Sequence, residues 1–197
     1  MSKAELVLAH GSGAGQQHPF IETIKQGLVA AEVAVTTFDF PYMQKAIAAG
    51  KPRPPDKLPV LVEAMLDACG ETPRPLWLAG KSLGARVAML SATALAARGW
   101  PVRGVLALGY PFHPPGKPER LRMAPIDELT VPGLILQGER DTFGARAEVE
   151  GYGLTIPVQF LPDGDHSFKP RKRSGLTESD NLQAAIKAML AFIEETA

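Results

Sequence analysis

The sequence predicts an α/β fold: one domain over residues 1–197, with about six mostly parallel strands and helices on both faces of the sheet. Three observations carry that prediction. Short apolar runs alternate with stretches of helical periodicity along the whole chain. A length of 197 residues suits one ordinary domain. A composition of 45% apolar and 21% charged residues is that of a folded globular chain and not of a disordered one.

The elements follow in order. Residues 5–9 are a short apolar run leaving into the glycine loop His10-Gly11-Ser12-Gly13-Ala14-Gly15, as a buried strand would. Residues 19–31 place Phe20, Ile21, Ile24, Leu28 and Val29 at helical spacing, with Pro19 at the first position. Residues 33–38 are rich in β-branched side chains and read as a strand. The proline-bearing stretch 39–57 reads as a loop, and 58–69 as a helix with Leu58, Leu61, Val62, Met65 and Leu66 on one face. Then come a strand at 76–79, an alanine-rich helix at 83–98 ending at Gly99, and a strand at 105–108. A second proline-bearing irregular stretch spans 110–131. A strand at 134–136, a short helix at 145–152, a strand at 158–161 and a helix at 179–195 complete the chain.

Several function classes are excluded or disfavoured. Lys and Arg total 21, as do Asp and Glu, so there is no basic excess for general nucleic-acid binding. A single cysteine, Cys69, can neither close an intramolecular disulfide nor build a cysteine zinc site. The apolar run at 6–9 is too short for a signal-peptide core, and no stretch approaches a membrane span. A cytoplasmic location, with no membrane or nucleic-acid partner, is expected.

Right-handed crossovers put the C-terminal ends of parallel strands on one edge, where sites in such sheets lie. Reactive residues are therefore sought just after strands. After 76–79 comes Gly80-Lys81-Ser82-Leu83-Gly84, followed by the alanine-rich helix. This is G-x-S-x-G in strand–turn–helix context, the nucleophile elbow. The turn strains the serine backbone, and small residues two positions to either side let strand and helix approach. A phosphate-binding G-x-x-x-x-G-K-S loop is the rival reading, but the glycine it requires is Pro75.

A nucleophilic serine needs a base. His166 follows the last strand in Asp163-Gly164-Asp165-His166. Asp141 follows the strand at 134–136 and is the expected orienting carboxylate. Glu139, Asp163 and Asp165 are its competitors. The order Ser82, Asp141, His166 is the one this architecture uses. Oxyanion donors are expected from the N–H of Leu83 and of Ser12, with Gly11 or Gly13 as alternatives.

With these residues in place, the sequence resembles the small dienelactone-hydrolase-like α/β-hydrolase family. The resemblance rests on residues 9–15, 40–43, 80–84, 110–118 and 163–166. It implies a minimal α/β-hydrolase that lacks the usual first two strands and has no large cap domain. It implies a hydrolase but no particular substrate. Dienelactone hydrolases usually carry cysteine at the elbow, so Ser82 argues against that substrate in particular. The family also includes relatives of a subunit of the NSL chromatin complex. A non-catalytic binding or scaffold module is thus the second reading.

The first reading is a serine hydrolase of small or accessible carboxylic esters or thioesters. It works through an acyl-enzyme and needs neither cofactor nor metal. The stretches 39–57 and 110–131 offer only short flaps, so an open pocket is expected. His10 reads as a packed or hydrogen-bonded turn residue; His18 and His113, both in loops, read as surface or packing residues, with a place at the border of the pocket as the alternative. Cys69 reads as a partly buried small residue near a helix end, and Trp77 as core. Lys51, Arg53, Lys57, Lys117, Arg120, Arg122, Lys169, Arg171, Lys172 and Arg173 lie in loops at the expected catalytic edge. They are either solvated loop charges or a basic mouth that draws in an anionic substrate.

Overall fold

The computed structural model describes residues 4–71 and 73–197. Its strands are β1 (Ala4–Ala9), β2 (Val33–Phe38), β3 (Leu76–Lys81), β4 (Val102–Leu108), β5 (Gly133–Gly138) and β6 (Val158–Leu161). They lie in the order β2-β1-β3-β4-β5-β6, and every neighbouring pair is parallel. The helices are α1 (Pro19–Ala30), α2 (Pro41–Ala49), α3 (Leu58–Cys69), α4 (Leu83–Ala97), α5 (Ala124–Asp127), α6 (Arg146–Val149) and α7 (Glu178–Thr196). The sheet is all-parallel with helices around it, and the described residues include no large cap domain.

Alternation along the strands builds two cores. Leu6 and Leu8 of β1 face α1 and α7 with Trp77, Leu106 and Leu136. Val7 and Ala9 face α3 and α4 with Leu78, Val105 and Ile135. Each buried leucine or isoleucine side chain contributes on the order of 1.5–3 kcal/mol. Trp77 joins the first core, and its indole N–H donates to Thr196 Oγ1 at 2.8 Å, fixing the end of α7. Cys69 is fully buried.

Several segments differ from the sequence reading. The expected loop at 39–57 contains α2, which opens on Pro41 and stops at Gly50 in the left-handed conformation (φ 59°). Pro41 starts a helix here instead of breaking one, because the first turn needs no N–H from that residue. The second irregular stretch holds the single turn α5, and α6 is shorter than expected at four residues. β4 begins three residues earlier, at Val102. Gly104 hides that start by interrupting the apolar run. A Cβ there would lie 2.6 Å from the Phe192 ring of α7, so the strand gives up a side chain to let the helix pack.

The strand order positions the site. The chain steps outward from β1 to β2, then returns to the other side of β1 for β3. That reversal leaves a crevice beyond the C-terminal ends of β1 and β3. The glycine loop leaves one of these ends and the Ser82 turn leaves the other. α4 starts against the β1 backbone: a Cβ at Gly84 would lie 2.5 Å from the His10 carbonyl oxygen and 2.7 Å from that of Ala9. A Cβ at Gly80 would overlap the Gly84 carbonyl. Neither neighbour is a movable side chain. Gly84→Ala is therefore expected to lower unfolding stability by about 2 kcal/mol, read as a drop in the urea midpoint. An unchanged midpoint would contradict the close approach.

Candidate active site

Ser82 stands between β3 and α4 with φ 53° and ψ −113°, a conformation that L-residues rarely adopt. Its N–H donates to Leu108 O of β4, which ties the turn to the neighbouring strand. The turn lifts the side chain off the sheet edge. His166, in the loop after β6, places Nε2 2.8 Å from Ser82 Oγ. Its Nδ1 lies 2.8 Å from Asp141 Oδ2. A carboxylate can only accept, so Nδ1 carries the proton and Nε2 accepts from the serine hydroxyl. The structure thus joins Ser82, His166 and Asp141 in one hydrogen-bonded chain, drawn from three strand ends.

Asp141 is fully buried, and both its oxygens are engaged. Oδ1 accepts from the Phe143 N–H at 2.8 Å, and Oδ2 accepts from Gln137 Nε2 at 3.0 Å as well as from His166. Phe143 also lies against the imidazole, with ring centroids 4.2 Å apart. The competing carboxylates are committed elsewhere. Glu139 accepts from Arg146 Nη1 and from the Asp163 N–H. Asp163 pairs with Arg171, whose hydrogen bonds hold its carboxyl down at about 2. Asp165 accepts from the N–H groups of Ser167 and Lys169.

The glycine loop lies directly on the elbow. A Cβ on Gly11 would sit 3.4 Å from Lys81 O and 3.6 Å from Ser82 Cβ. His10 is buried beneath this loop. Its Nε2 accepts from the Phe40 N–H at 3.1 Å, so its Nδ1 bears the proton and donates to Gly11 O at 2.6 Å. Tyr42 of α2 donates its hydroxyl to the same carbonyl at 3.2 Å. In a trans peptide, C=O and N–H point in opposite directions. Holding the Gly11 carbonyl toward His10 and Tyr42 turns the Ser12 N–H away from them, and Ser12 is one of the residues that line the cleft. Leu83 offers the first N–H of α4, which has no partner within the helix.

The cleft has a volume of about 310 Å³. Residues 11–14 form one wall, with Ser82, His166, Ser167, Lys81, His18 and Phe20 around the rest. His18 also caps α1, where its Nδ1 accepts from the Phe20 N–H. His113 is buried away from the cleft, with Nδ1 2.9 Å from Pro114 O. None of the ten basic loop residues lines the cleft. Nine of them are exposed and Arg122 is half-buried, so they behave as loop charges and do not form the wall of a basic mouth.

Sequence reasoning passes over Tyr42, Gln137, Phe143 and Lys81 as parts of the site. Gln137, at the buried end of β5, is a polar residue in an apolar strand, and that is its one visible signal. Tyr42 lies in a stretch that reads as loop. Lys81 occupies the variable position of G-x-S-x-G, where the motif makes no demand.

A family model described as alpha/beta hydrolase domain matches residues 2–194. The chain belongs to the α/β-hydrolase family. Among solved structures, this hydrolase is similar to Est1E from Butyrivibrio proteoclasticus at 14% identity. The match has a TM-score of 0.70 and covers 98% of this chain and 89% of that one. It is also similar to dienelactone hydrolase from Anabaena variabilis at 17% identity, with a TM-score of 0.65 and coverage of 94% and 85%. A third is XC6422 from Xanthomonas campestris, described as an α/β serine hydrolase without lid, at 18% identity. Its TM-score is 0.59 and its coverage 93% and 82%. No curated protein matches the sequence significantly. Among the described residues, no helix is long and apolar enough to cross a membrane.

Burial lowers the pKa of His10 below its ordinary value of about 6.5, against the opposing pull of the Gly11 carbonyl and Asp39. The unfolded chain therefore takes up a proton near pH 6.5 that the folded protein resists. Stability contributed by the neutral ring is complete above that pH and is lost as pH falls toward the folded-state value. His10→Phe is expected to lose about 1–3 kcal/mol at pH 7.5, because the buried Phe40 N–H and Gly11 carbonyl lose their partner. Its stability should also fall less steeply than wild type between pH 7 and 5. Parallel urea-stability curves for the two proteins would refute this account of His10.

Proposed function

We propose that this α/β-hydrolase is a serine hydrolase that cleaves small or accessible carboxylic esters or thioesters. The observation that carries the reading is the unbroken chain Ser82 Oγ–His166–Asp141, with 2.8 Å at each link. The description of XC6422 as a serine hydrolase without lid supports the same type of nucleophile here.

In this mechanism, Ser82 Oγ attacks the acyl carbon as His166 Nε2 takes its proton. The new imidazolium is stabilised by the Asp141 carboxylate, whose orientation is set by the Phe143 N–H and Gln137. The carbonyl oxygen becomes an oxyanion and is met by the N–H groups of Leu83 and Ser12. A fixed donor of this kind is worth roughly 10²–10³-fold in rate. His166 then passes its proton to the leaving alkoxide or thiolate, and the acyl-enzyme forms. A water enters, gives a proton to His166 and attacks the same carbon, releasing the acid and restoring the Ser82 hydroxyl. Every proton is carried by His166, so the reaction needs no cofactor or metal.

The cleft limits the substrate. About 310 Å³, bounded on one side by a glycine loop, accommodates a compact acyl or alcohol group. It does not enclose a long acyl chain.

The test is labelling with a fluorophosphonate probe, followed by a panel of esters and thioesters of graded length. Wild type should be labelled and should hydrolyse short esters or thioesters. Ser82→Ala should keep its fold, lose labelling and lose at least ~10⁴-fold in turnover. Failure of the wild-type protein to label would favour the binding-module reading. Ser82→Ala turning over at the wild-type rate would end the mechanism.

A further inference from the structure

Lys81 is the last residue of β3 and immediately precedes Ser82. A lysine at the end of a central strand would be expected to reach for solvent. This one does not: it is 8% exposed. Its Nζ donates to the main-chain carbonyl of His166. The ammonium also sits 5.3 Å from the ring centroid of Phe20 and 5.8 Å from that of Phe168. Gly109, at the end of β4, makes room for it. A Cβ there would lie 2.9 Å from Nζ, 3.1 Å from His166 O and 3.4 Å from His166 Nδ1. Gly109 also has φ 63°, so both space and backbone favour glycine.

Burying an ammonium is costly, and an apolar residue would fill the space without that cost. The arrangement has a function if the charge is needed where it sits. His166 lies in a loop after β6, the short edge strand of the sheet. Lys81, the residue next to the nucleophile, holds the main chain of that loop through its own side chain.

We propose that Lys81 is a positioning residue: its ammonium clamps the His166 main chain to the nucleophile elbow and holds imidazole and hydroxyl in register for proton transfer. This rests on the serine-hydrolase reading and adds to it a part of the machinery that touches neither the reacting carbon nor the oxyanion. A charged donor makes a hydrogen bond roughly twice as strong as a neutral one, and only the cation is attracted to the two aromatic faces. The clamp is therefore strongest while Lys81 is protonated.

Burial brings the Lys81 pKa down to about 8, although Asp141 and then Asp165 pull the other way. The titratable and charged groups facing it are Asp141 after β5 and Asp165 and His166 after β6. From α1 and the segment after His166 it meets the rings of Phe20 and Phe168, and His18, which caps α1, lines the same cleft. The clamp should loosen as pH rises through about 8.

The experiment measures the second-order rate of fluorophosphonate labelling of the full-length protein from pH 6 to 10. It uses wild type and Lys81→Met, which matches the length of the stem and lacks the charge. Wild type should lose at least about threefold in rate between pH 7.5 and 9.5, reversibly on return to pH 7.5. Lys81→Met should label roughly 10–100-fold more slowly at pH 7. It should show no alkaline decline, with far-UV circular dichroism like that of wild type. An alkaline decline of the same midpoint in Lys81→Met would overturn the proposal, as would labelling at the wild-type rate. If Lys81→Met does not fold, the wild-type profile decides: a flat rate above pH 8 overturns the clamp and a reversible decline supports it. Absence of wild-type labelling at every pH would instead remove the serine-hydrolase reading, and the clamp with it.

Discussion

The backbone at Ser82 is the constraint on which the rest depends. A residue at φ 53° and ψ −113° costs on the order of 1–3 kcal/mol, and the surrounding packing must outweigh that. Here the packing comes from close backbone contact. Gly80 and Gly84 touch across the turn, Gly84 rests on the carbonyls of Ala9 and His10, and the Ser82 N–H is bonded to β4. Three central strands and the start of α4 therefore fix one peptide unit. The hydroxyl is left at the strand edge, at the N-terminus of α4, and lines the cleft.

Around that turn, polar groups are held by hydrogen bonds from neighbours, most of them outside the cleft. Asp141 is fully buried, yet every oxygen is bonded, which is what a buried carboxylate requires. Gln137 supplies one of those bonds and also reaches the carbonyls of Tyr110 and Gly144, bridging β5 to the loops on either side. His10 and Tyr42 act in the corresponding way on the glycine loop. They hold a carbonyl, and the planarity of the peptide converts that into a direction for the next N–H. Lys81, from the cleft wall, holds the main chain of His166.

Much of this was legible in the sequence because the signals are local. A G-x-S-x-G between an apolar strand and an alanine-rich helix specifies a turn by sterics alone, and His166 and Asp141 each follow an apolar strand. α2 was hidden because a proline has the same one-letter code whether it starts a helix or breaks one. The supporting residues were hidden for a different reason. Gln137, Tyr42 and Lys81 matter through partners 4 to 85 positions away, and no spacing rule connects them.

The sequence by itself determined the alternation of strands and helices, the order of the six strand-forming runs and the identity of the residues at their ends. These follow from side-chain periodicity and from what glycine, proline and β-branched residues permit locally. Only the tertiary structure decided which strand ends are neighbours and which of four nearby carboxylates reaches His166. It also decided that the ten loop cations stay off the cleft while one lysine is buried beside it. Those outcomes depend on strand order and on competition for partners in three dimensions, which chain-local preferences do not encode.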